Sequence, residues 1–270
     1  MAGLPEKIKV VFAGVNGKTG RAVLKGIMNE PDIDIVGAVD INSQGTDIGM
    51  LIGFQPVNIL VEDDLDQVIK NTNPDVLLDF TSPASVMKNI EIAVENRVGC
   101  VIGTTGISPE DLEIVKQWSD QYRTPVFIAP NFSIGAVLMM RFAQEASRYF
   151  PNIEIIEKHH DQKVDAPSGT ALKTLELIAE ERKSMRQGSS AEVEKLSGAR
   201  GGEYQGMHVH SIRLPGYVAH QEVIFGGDGQ TLTIKHDTIN RDCFAPGVLL
   251  AIRNLQHLEG VIYGLEKLLW

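Results

Sequence analysis

The densest group of chemically active side chains lies in the segment EKHHDQKVDAPSGTA, which begins at Glu157. Its candidate site residues are His159, His160, Lys163, Ser168, Gly169 and Thr170. An imidazole titrates near neutral pH and can deliver a proton, while the lysine adds a positive charge. The serine is a good helix N-cap, and the backbone N–H groups that follow it suit a carboxylate. A general acid, a cation and an anion-binding helix start in one segment indicate reduction of a small dicarboxylate.

Other interpretations of these residues remain open at this point. Adjacent histidines can ligate a metal, but neighbours on a strand face opposite ways and no cysteine or third histidine lies at metal-site spacing. We therefore expect no metal. Each histidine taken alone is typical of a packed, hydrogen-bonded residue, and the lysine of a surface. We interpret His208, His210 and His220 as structural or interface residues.

A glycine-rich turn, GVNGKTG, directly follows the strand pattern IKVVFAGV. Its candidate cofactor contacts are Gly14, Asn16, Gly17, Lys18, Thr19 and Gly20. Glycines allow a tight turn and close approach of a pyrophosphate, which the positive end of the next helix attracts. The spacing GxxGxxG is less specific than GxGxxG, and a turn without a ligand is the alternative.

Asp40 ends the second predicted strand, 20 positions after Gly20, where an acidic residue accepts hydrogen bonds from a ribose. An ordinary strand-end aspartate is the alternative. Ile41 and Asn42 follow it, so no arginine is in place for a 2′-phosphate, although Lys18 can help with phosphate. NADH or NADPH is the expected cofactor, and the choice between them stays open.

Three further loops, 80–83, 103–106 and 129–132, leave the carboxyl ends of predicted strands, where open α/β sheets bind ligands. Their candidate cofactor contacts are Gly103, Thr104, Thr105, Ala129, Pro130, Asn131 and Phe132. Small residues in the loop GTTG would let a nicotinamide and its ribose lie close to the backbone. A simple helix-entry turn is the alternative.

The order of the predicted elements sets the fold class. Strands alternate with helices up to about residue 130, which predicts an α/β, Rossmann-like, doubly wound parallel sheet. Consecutive strands then follow at Met207–Leu214, His220–Phe225 and Thr231–Asp237, and predict a central α+β domain with a mixed sheet. From Pro246 the pattern is helical to the end. The change of pattern predicts a second domain, and the C-terminal helical pattern can pack back on the first.

Composition excludes several classes of protein. The 35 acidic and 25 basic side chains of the 270 residues give a formal charge of −10, which argues against nucleic-acid binding. No apolar run approaches the roughly 20 residues that span a bilayer, and no signal pattern opens the chain, so we expect no membrane association. Two cysteines in a chain this long indicate buried thiols and a cytoplasmic location.

In these motifs the sequence resembles the 4-hydroxy-tetrahydrodipicolinate reductase (dihydrodipicolinate reductase) family. The matching blocks are the glycine turn at Gly14–Gly20, Asp79-Phe-Thr81, Gly103-Thr-Thr-Gly106, Ala129-Pro-Asn-Phe-Ser133, Glu157-Lys-His-His160 and, most specifically, Lys163-Val-Asp-Ala-Pro-Ser-Gly-Thr-Ala171. The resemblance implies a homotetramer that reduces a cyclic imine dicarboxylate of the lysine and diaminopimelate pathway to tetrahydrodipicolinate with NADH or NADPH. It also implies a dinucleotide-binding domain of residues 1–130 completed by residues 241–270, and a substrate-binding and oligomerisation domain of residues 131–240.

The resemblance assigns roles to individual residues. His159 would donate the proton, His160 and Lys163 would hold the substrate, and Gly169 with Thr170 would bind a carboxylate. Many members carry Glu-Arg where this chain has Asp40-Ile41, which affects the choice of cofactor.

Two alternatives remain, a second enzyme and a protein of a different class. Another two-domain dehydrogenase of amino-acid metabolism would, if it acts on a semialdehyde, need a nucleophilic cysteine, and neither Cys100 nor Cys243 lies in such a setting. A non-catalytic nucleotide sensor would use the glycine turn alone.

Overall fold

The computed structural model describes residues 7–183 and 185–270, so residues 1–6 of the predicted first domain lie outside the described residues. Contacts divide the chain into two compact units. The first comprises residues 7–134 with Arg241–Trp270, and the second Gly135–Asn240. We predicted the first division between residues 130 and 131.

The chain forms short strands and helices in both units. The strands are β1 (Ile8–Ala13), β2 (Ile33–Val39), β3 (Val61–Glu62), β4 (Val76–Asp79), β5 (Gly99–Ile102), β6 (Val126–Ile128), β7 (Asn152–His159), β8 (Gly202–Tyr204), β9 (Met207–Arg213), β10 (Ala219–Gly227), β11 (Gln230–Thr238) and β12 (Val261–Tyr263). The α-helices are α1 (Lys18–Ile27), α2 (Ile48–Leu51), α3 (Leu65–Thr72), α4 (Pro83–Glu95), α5 (Pro109–Tyr122), α6 (Ile134–Ser147), α7 (Gly169–Glu181) and α8 (Ala245–Asn254). Single 3-10 turns cover Arg241–Phe244, Leu255–His257 and Leu265–Leu268.

The first unit contains a parallel sheet with the strand order β12-β6-β5-β4-β1-β2-β3. Its central strands are buried on both faces, as the apolar runs predicted: Val10, Val11 and Phe12 of β1 are fully buried. The direction of winding reverses between β1 and β4, which places a crevice at their carboxyl ends. The predicted doubly wound parallel sheet is confirmed.

The second unit contains a five-stranded sheet with the order β11-β10-β7-β9-β8. Strands β7 and β9 are parallel, whereas the other neighbouring pairs are antiparallel, so the predicted mixed sheet is also confirmed. Apolar side chains of alternate strand positions pack against α6 and α7, and the core includes Ile155, Val209, Phe225, Leu175 and Ile178.

The C-terminal segment differs from the prediction. One helical pattern was expected from Pro246 onwards, but α8 ends at Asn254 and the chain then forms β12, which pairs with β6. Gly260 and Gly264 have positive φ angles of 68° and 102°, which interrupt a helix and set off the β-favouring sequence between them. The short elements α2, β3 and β8 were also missed.

Helix ends agree with their capping residues. The side chain of Ser108 accepts the N–H of Asp111 and the carboxylate of Asp111 accepts the N–H of Ser108, a complete capping box at the start of α5, with Pro109 at the first helical position. Among the described residues, no helix has the length and apolarity needed to cross a membrane.

Candidate active site

The carboxyl end of β7 positions the predicted proton donor. Glu157 and His159 are alternate residues of this strand, so their side chains share a face, and Glu157 is fully buried. Nδ1 of His159 lies 2.5 Å from Oε2 of Glu157. Arg213 of β9 lies opposite His159 in the sheet and donates to both oxygens of Glu157, at 2.9 and 2.7 Å. One side of the imidazole is therefore fixed, and Nε2 makes no hydrogen bond to the part of the chain that the structure describes.

The charge of Glu157 is held by its neighbours. Burial by itself raises the pKa of this carboxyl, but hydrogen bonds from His159, Arg213 and Ser211 outweigh it and lower the pKa from 4.5 to about 2. Glu157 is therefore ionised at neutral pH.

The loop between β7 and α7 carries the other predicted substrate residues. His160 is half-buried, and its carbonyl accepts the backbone N–H of Lys163 at 3.2 Å. The ammonium of Lys163 lies 2.6 Å from Oδ1 of Asp165, and this hydrogen bond lowers the pKa of the carboxyl. Nη2 of Arg213 donates to the carbonyl of Asp165 at 2.7 Å, so the loop is tied to the same arginine as Glu157.

At the start of α7, two of the three predicted residues offer backbone N–H groups that suit an anion. The hydroxyl of Ser168 accepts the N–H of Ala171 at 3.2 Å, and its own N–H donates to Oε1 of Glu157 at 3.3 Å. Ser168 thus caps the helix and is buried, whereas Gly169 is exposed. No acceptor within the described ranges, 7–183 and 185–270, pairs with the N–H of Gly169 or Thr170. Two amides at the positive end of a helix are available for a carboxylate.

Two glycines of the turn in the first unit lie against neighbouring backbone, with no room for a side chain. Gly14 has a φ of 84°, and a Cβ there would lie 2.3 Å from the carbonyl oxygen of Phe80. A Cβ on Gly20 would lie 2.0 Å from the carbonyl oxygen of Gly14. Gly17 is the N-cap of α1, which begins at Lys18, so the exposed lysine stands at the first helical position. The turn therefore needs glycine at two positions for its own geometry and exposes a helix N-terminus at the third.

A cavity of about 740 Å³ opens beside this turn and suits part of a dinucleotide. Its lining residues are Ala13, Gly14, Asn16, Gly17, Val39, Asp40, Ile41, Asn42, Asp63, Asp64, Leu65, Phe80, Thr81, Ser82, Ser85, Lys88, Asn89 and Ile92. The carboxylate of Asp40 accepts the N–H of Asn16 at 3.0 Å and that of Asn42 at 2.9 Å. Each oxygen of Asp40 keeps a further lone pair for a hydroxyl group of a ribose.

The predicted loops lie along the same sheet edge because their strands are neighbours. The N–H of Phe80 donates to the carbonyl of Ala13, and that of Gly103 to the carbonyl of Asp79, both continuing the parallel ladder. Asp79 is fully buried, and its Oδ1 accepts the hydroxyls of Thr81 and Thr104 at 2.8 and 2.6 Å. Its Oδ2 accepts the amide of Asn89 at 2.7 Å. Asp79 therefore ties two loops and α4 together.

Several predicted cofactor contacts have structural partners for their side chains. Phe132 and Ala129 are buried, and the Phe132 ring packs against Phe80 with centroids 5.7 Å apart. Oδ1 of Asn131 accepts the N–H of Ser133 at 2.8 Å. Thr105 and Pro130 are exposed at the loop tips, and Thr19 is half-buried in the first turn of α1. A cofactor would meet mainly backbone at the buried positions.

Sequence reasoning gave no role to Glu157, Arg213 or Asp79. A role for Glu157 could have been found from the sequence, because an acidic residue two positions before a histidine on a strand lies on the same face of that strand. The contact with Arg213 follows from the pairing of β7 with β9 across 56 residues, which local pattern does not reveal. Across the described residues, no group of three or more His, Cys, Asp or Glu is arranged to hold a metal ion.

Comparison with known proteins identifies the family. The model described as "Dihydrodipicolinate reductase, N-terminus" matches residues 8–132, and the model described as "Dihydrodipicolinate reductase, C-terminus" matches residues 135–269. A 4-hydroxy-tetrahydrodipicolinate reductase of Desulfitobacterium hafniense is 51% identical over 265 residues, covering 98% of this chain and 99% of the relative. One of Moorella thermoacetica is 54% identical over 262 residues, covering 97% and 98%.

A solved structure agrees with these relatives. It is a dihydrodipicolinate reductase of Paenisporosarcina sp. TG-14 with dipicolinate bound, and it matches with a TM-score of 0.86 and 42% identity over 97% of this chain and 99% of that one. The two family models together span nearly all of the chain, and the division between them falls where the first unit gives way to the second. The chain belongs to the dihydrodipicolinate reductase family.

Proposed function

We propose that this chain reduces 4-hydroxy-tetrahydrodipicolinate, or its dehydrated form dihydrodipicolinate, to tetrahydrodipicolinate in lysine and diaminopimelate biosynthesis. The observation that carries the proposal is an oriented imidazole, His159, at the end of β7, followed after one loop by the start of α7 with two available N–H groups. Those two features suit a substrate that has carboxylates and must gain a proton. The names of the relatives, and the dipicolinate bound to one of them, support the same substrate class.

The substrate would be held by the second unit. One carboxylate docks on the N–H groups of Gly169 and Thr170, where the helix dipole and two donors replace its water. Lys163 and His160 add charge and donors from the same loop. Because Asp165 already pairs with Lys163, a substrate carboxylate must compete with Asp165 for that ammonium.

The first unit fits a nicotinamide dinucleotide. Gly14, Gly17 and the N-terminus of α1 would hold its phosphates, Asp40 its adenosine ribose, and the loops at Gly103 and Ala129 its nicotinamide end. When bound, the reduced cofactor supplies a hydride. Neutralising the carboxylates, orienting the ring and giving the proton are then the work of the protein, and His159 gives the proton through Nε2 because Nδ1 faces Glu157.

We propose that both NADH and NADPH are used and that NADH is preferred. The cavity at the ribose end is lined by Asp40, Asp63 and Asp64. A 2′-phosphate would bring a further negative charge to these carboxylates, whereas a 2′-hydroxyl can donate to Asp40. Lys88 also lines this cavity, but it is paired with Glu91 at 2.9 Å.

The family suggests a homotetramer in the cytoplasm, and we propose both for this chain. Sedimentation of the purified protein measures the first, and fractionation of the native cells measures the second.

The deciding experiment follows the absorbance of NADH and of NADPH separately, with substrate generated enzymatically from pyruvate and aspartate semialdehyde. We expect oxidation of both, faster with NADH at low concentration. No oxidation of either would leave a non-catalytic nucleotide sensor as the better interpretation. Strict use of NADPH would contradict the role given to Asp40.

Semialdehyde chemistry is the other candidate, and it requires a thiolate. Cys100 is fully buried, and burial raises the pKa of its thiol well above the ordinary value, so this cysteine stays protonated and out of reach. Alkylation of the accessible thiols should leave the reductase activity intact.

A further inference from the structure

Glu157 is a buried carboxylate placed between the proposed proton donor and the substrate loop. Its Oε2 faces Nδ1 of His159, and its Oε1 accepts the N–H of Ser168. We infer that Glu157 is a positioning residue of the reaction, which sets the tautomer and orientation of His159 and fixes the same carboxylate to the start of α7. This inference rests on the proposed role of His159 as proton donor.

Arg213 keeps Glu157 in the state that the role requires. Its two Nη atoms lie 2.9 and 2.7 Å from the two oxygens of Glu157, and its side chain is only 17% exposed. A bidentate guanidinium holds the plane of a carboxylate and its negative charge together. An ionised carboxylate can only accept hydrogen bonds, so the hydrogen between Glu157 and His159 belongs to the imidazole.

The consequence for His159 is a fixed tautomer. Nδ1 keeps its hydrogen throughout, and Nε2 is the nitrogen that holds the proton to be transferred. When Nε2 gives that proton to the substrate carbon, the imidazolium becomes the neutral Nδ1–H form and Glu157 stays ionised. Nε2 must take up a proton again before the next turnover.

A second carboxylate on the same strand provides a matched control. Glu154 of β7 also bonds a histidine and an arginine, since its oxygens lie 2.7 Å from Nε2 of His210 and 2.6 Å from Nη2 of Arg200. It stands an odd number of residues from Glu157 and therefore on the other face of the strand. The side chain of Glu154 is 28% exposed, and Glu154→Gln removes a charge with the same kinds of partners without touching His159.

The kinetic test compares Glu157→Gln with Glu154→Gln. Glutamine keeps the size and an acceptor oxygen but loses the charge. We expect kcat of Glu157→Gln to fall about 10- to 100-fold with KM changed less than about threefold, because the loss falls on proton transfer. Glu154→Gln should keep kcat within about twofold. The inference is overturned if Glu157→Gln keeps kcat, or if both variants lose it equally.

A double-mutant cycle separates positioning from general damage. In a His159→Gln background, Glu157→Gln should lower kcat no further, because the group on which it acts is already absent. A second loss of about 10-fold or more in that background would show that Glu157 acts elsewhere.

A spectroscopic readout needs no activity at all. The signal of His159 in histidine ¹⁵N spectra is identified as the one that disappears in His159→Gln. In the wild-type protein this signal should show that the neutral ring is the Nδ1–H tautomer. Glu157→Gln should shift it towards a mixture, and Glu154→Gln should not. A wild-type ring in the Nε2–H form overturns the inference even if the enzyme reduces its substrate. A wild-type enzyme that oxidises neither cofactor, with the expected tautomer, instead removes the proposed function.

Discussion

Replacing His159 tests the proposed chemistry at one atom. We expect His159→Gln to lower kcat about 10²- to 10⁴-fold, the range that a positioned general acid contributes, with a much smaller change in KM. Steady-state kinetics with saturating cofactor measure both constants. His257→Gln is the control, since His257 is an exposed residue of the first unit and should leave kcat unchanged. A loss under about fivefold in His159→Gln would refute the assignment.

Ile41 follows Asp40, the residue proposed to hold the adenosine ribose, and is 83% exposed. Ile41→Arg would place a guanidinium beside the 2′ position without disturbing a packed residue. A charge-assisted hydrogen bond of about 1.5 kcal/mol should raise kcat/KM for NADPH about tenfold and leave that for NADH nearly unchanged. Ile41→Gln is the uncharged control. Equal gains with both cofactors, or with both variants, would contradict the proposed position of the ribose.

Two helices that begin with a capping serine separate function from stability at the scale of elements. Ser168 caps α7, which carries the proposed carboxylate site, and Ser108 caps α5 in the other unit. Either Ser→Ala change should lower the free energy of unfolding by about 0.5–2 kcal/mol. Only Ser168→Ala should also raise KM for the substrate several-fold, because the two available N–H groups lie in the turn that it caps. Denaturant unfolding and steady-state kinetics give the two quantities, and equal KM values for both variants would argue against the site.

The elements show where local sequence was sufficient. Apolar runs and capping residues predicted the strand and the helix that flank Gly14, and the start of α7 at Ser168, within a few residues. Strand β12 was missed because a short run of apolar residues fits an amphipathic helix as well as a strand. The positive φ angles of Gly260 and Gly264, which exclude the helix, are known only from the structure. The strand is also set by its partner β6, more than 130 residues earlier, and single-sequence pattern holds no information on such pairing.

The same limit applies to the candidate site. The types and spacing of His159, Lys163 and Ser168 were enough to predict a proton donor near an anion-binding helix start. The residue that orients the donor, Glu157, shares its strand and was within reach of the argument. Arg213 was not, because its role depends on the register of β9 against β7. Site contacts that depend on the register between strands distant in sequence are known only from the structure.

At the scale of the whole molecule, the first unit is assembled from both ends of the chain. A Cβ on Gly26 of α1 would lie 2.3 Å from Cβ of Ala245, and the guanidinium of Arg253 pairs with Asp32 and Glu30, at 2.7 Å each. The returning segment therefore contributes a helix, a strand and an ion pair to the core and edge of this unit. The second unit, residues 135–240, is continuous, and its stability depends on different groups.

The buried charge of Glu157 predicts how the second unit responds to acid. Burial opposes ionisation of this carboxyl, but the hydrogen bonds of His159, Arg213 and Ser211 prevail, and its pKa is about 2 in the fold against an ordinary 4.5. A carboxyl whose pKa is lower in the folded than in the unfolded chain stabilises the fold at every pH above its pKa in the unfolded chain. This stabilisation is lost as the pH falls towards the pKa in the folded chain. A difference of this size corresponds to about 3 kcal/mol, of which about 2 kcal/mol should be gone by about pH 3.

Urea unfolding of the wild type and of Glu157→Gln, at about pH 6 and about pH 3, isolates this contribution from that of the other carboxylates, which both proteins share. Between these two pH values the free energy of unfolding of the wild type should fall by about 2 kcal/mol more than that of the variant, because glutamine does not titrate in this range. If the difference in free energy of unfolding between the wild type and Glu157→Gln is the same at both pH values, Glu157 is not held ionised by His159 and Arg213. The proposed orientation of the proton donor would then lose its physical basis, because an uncharged carboxyl can itself donate to Nδ1.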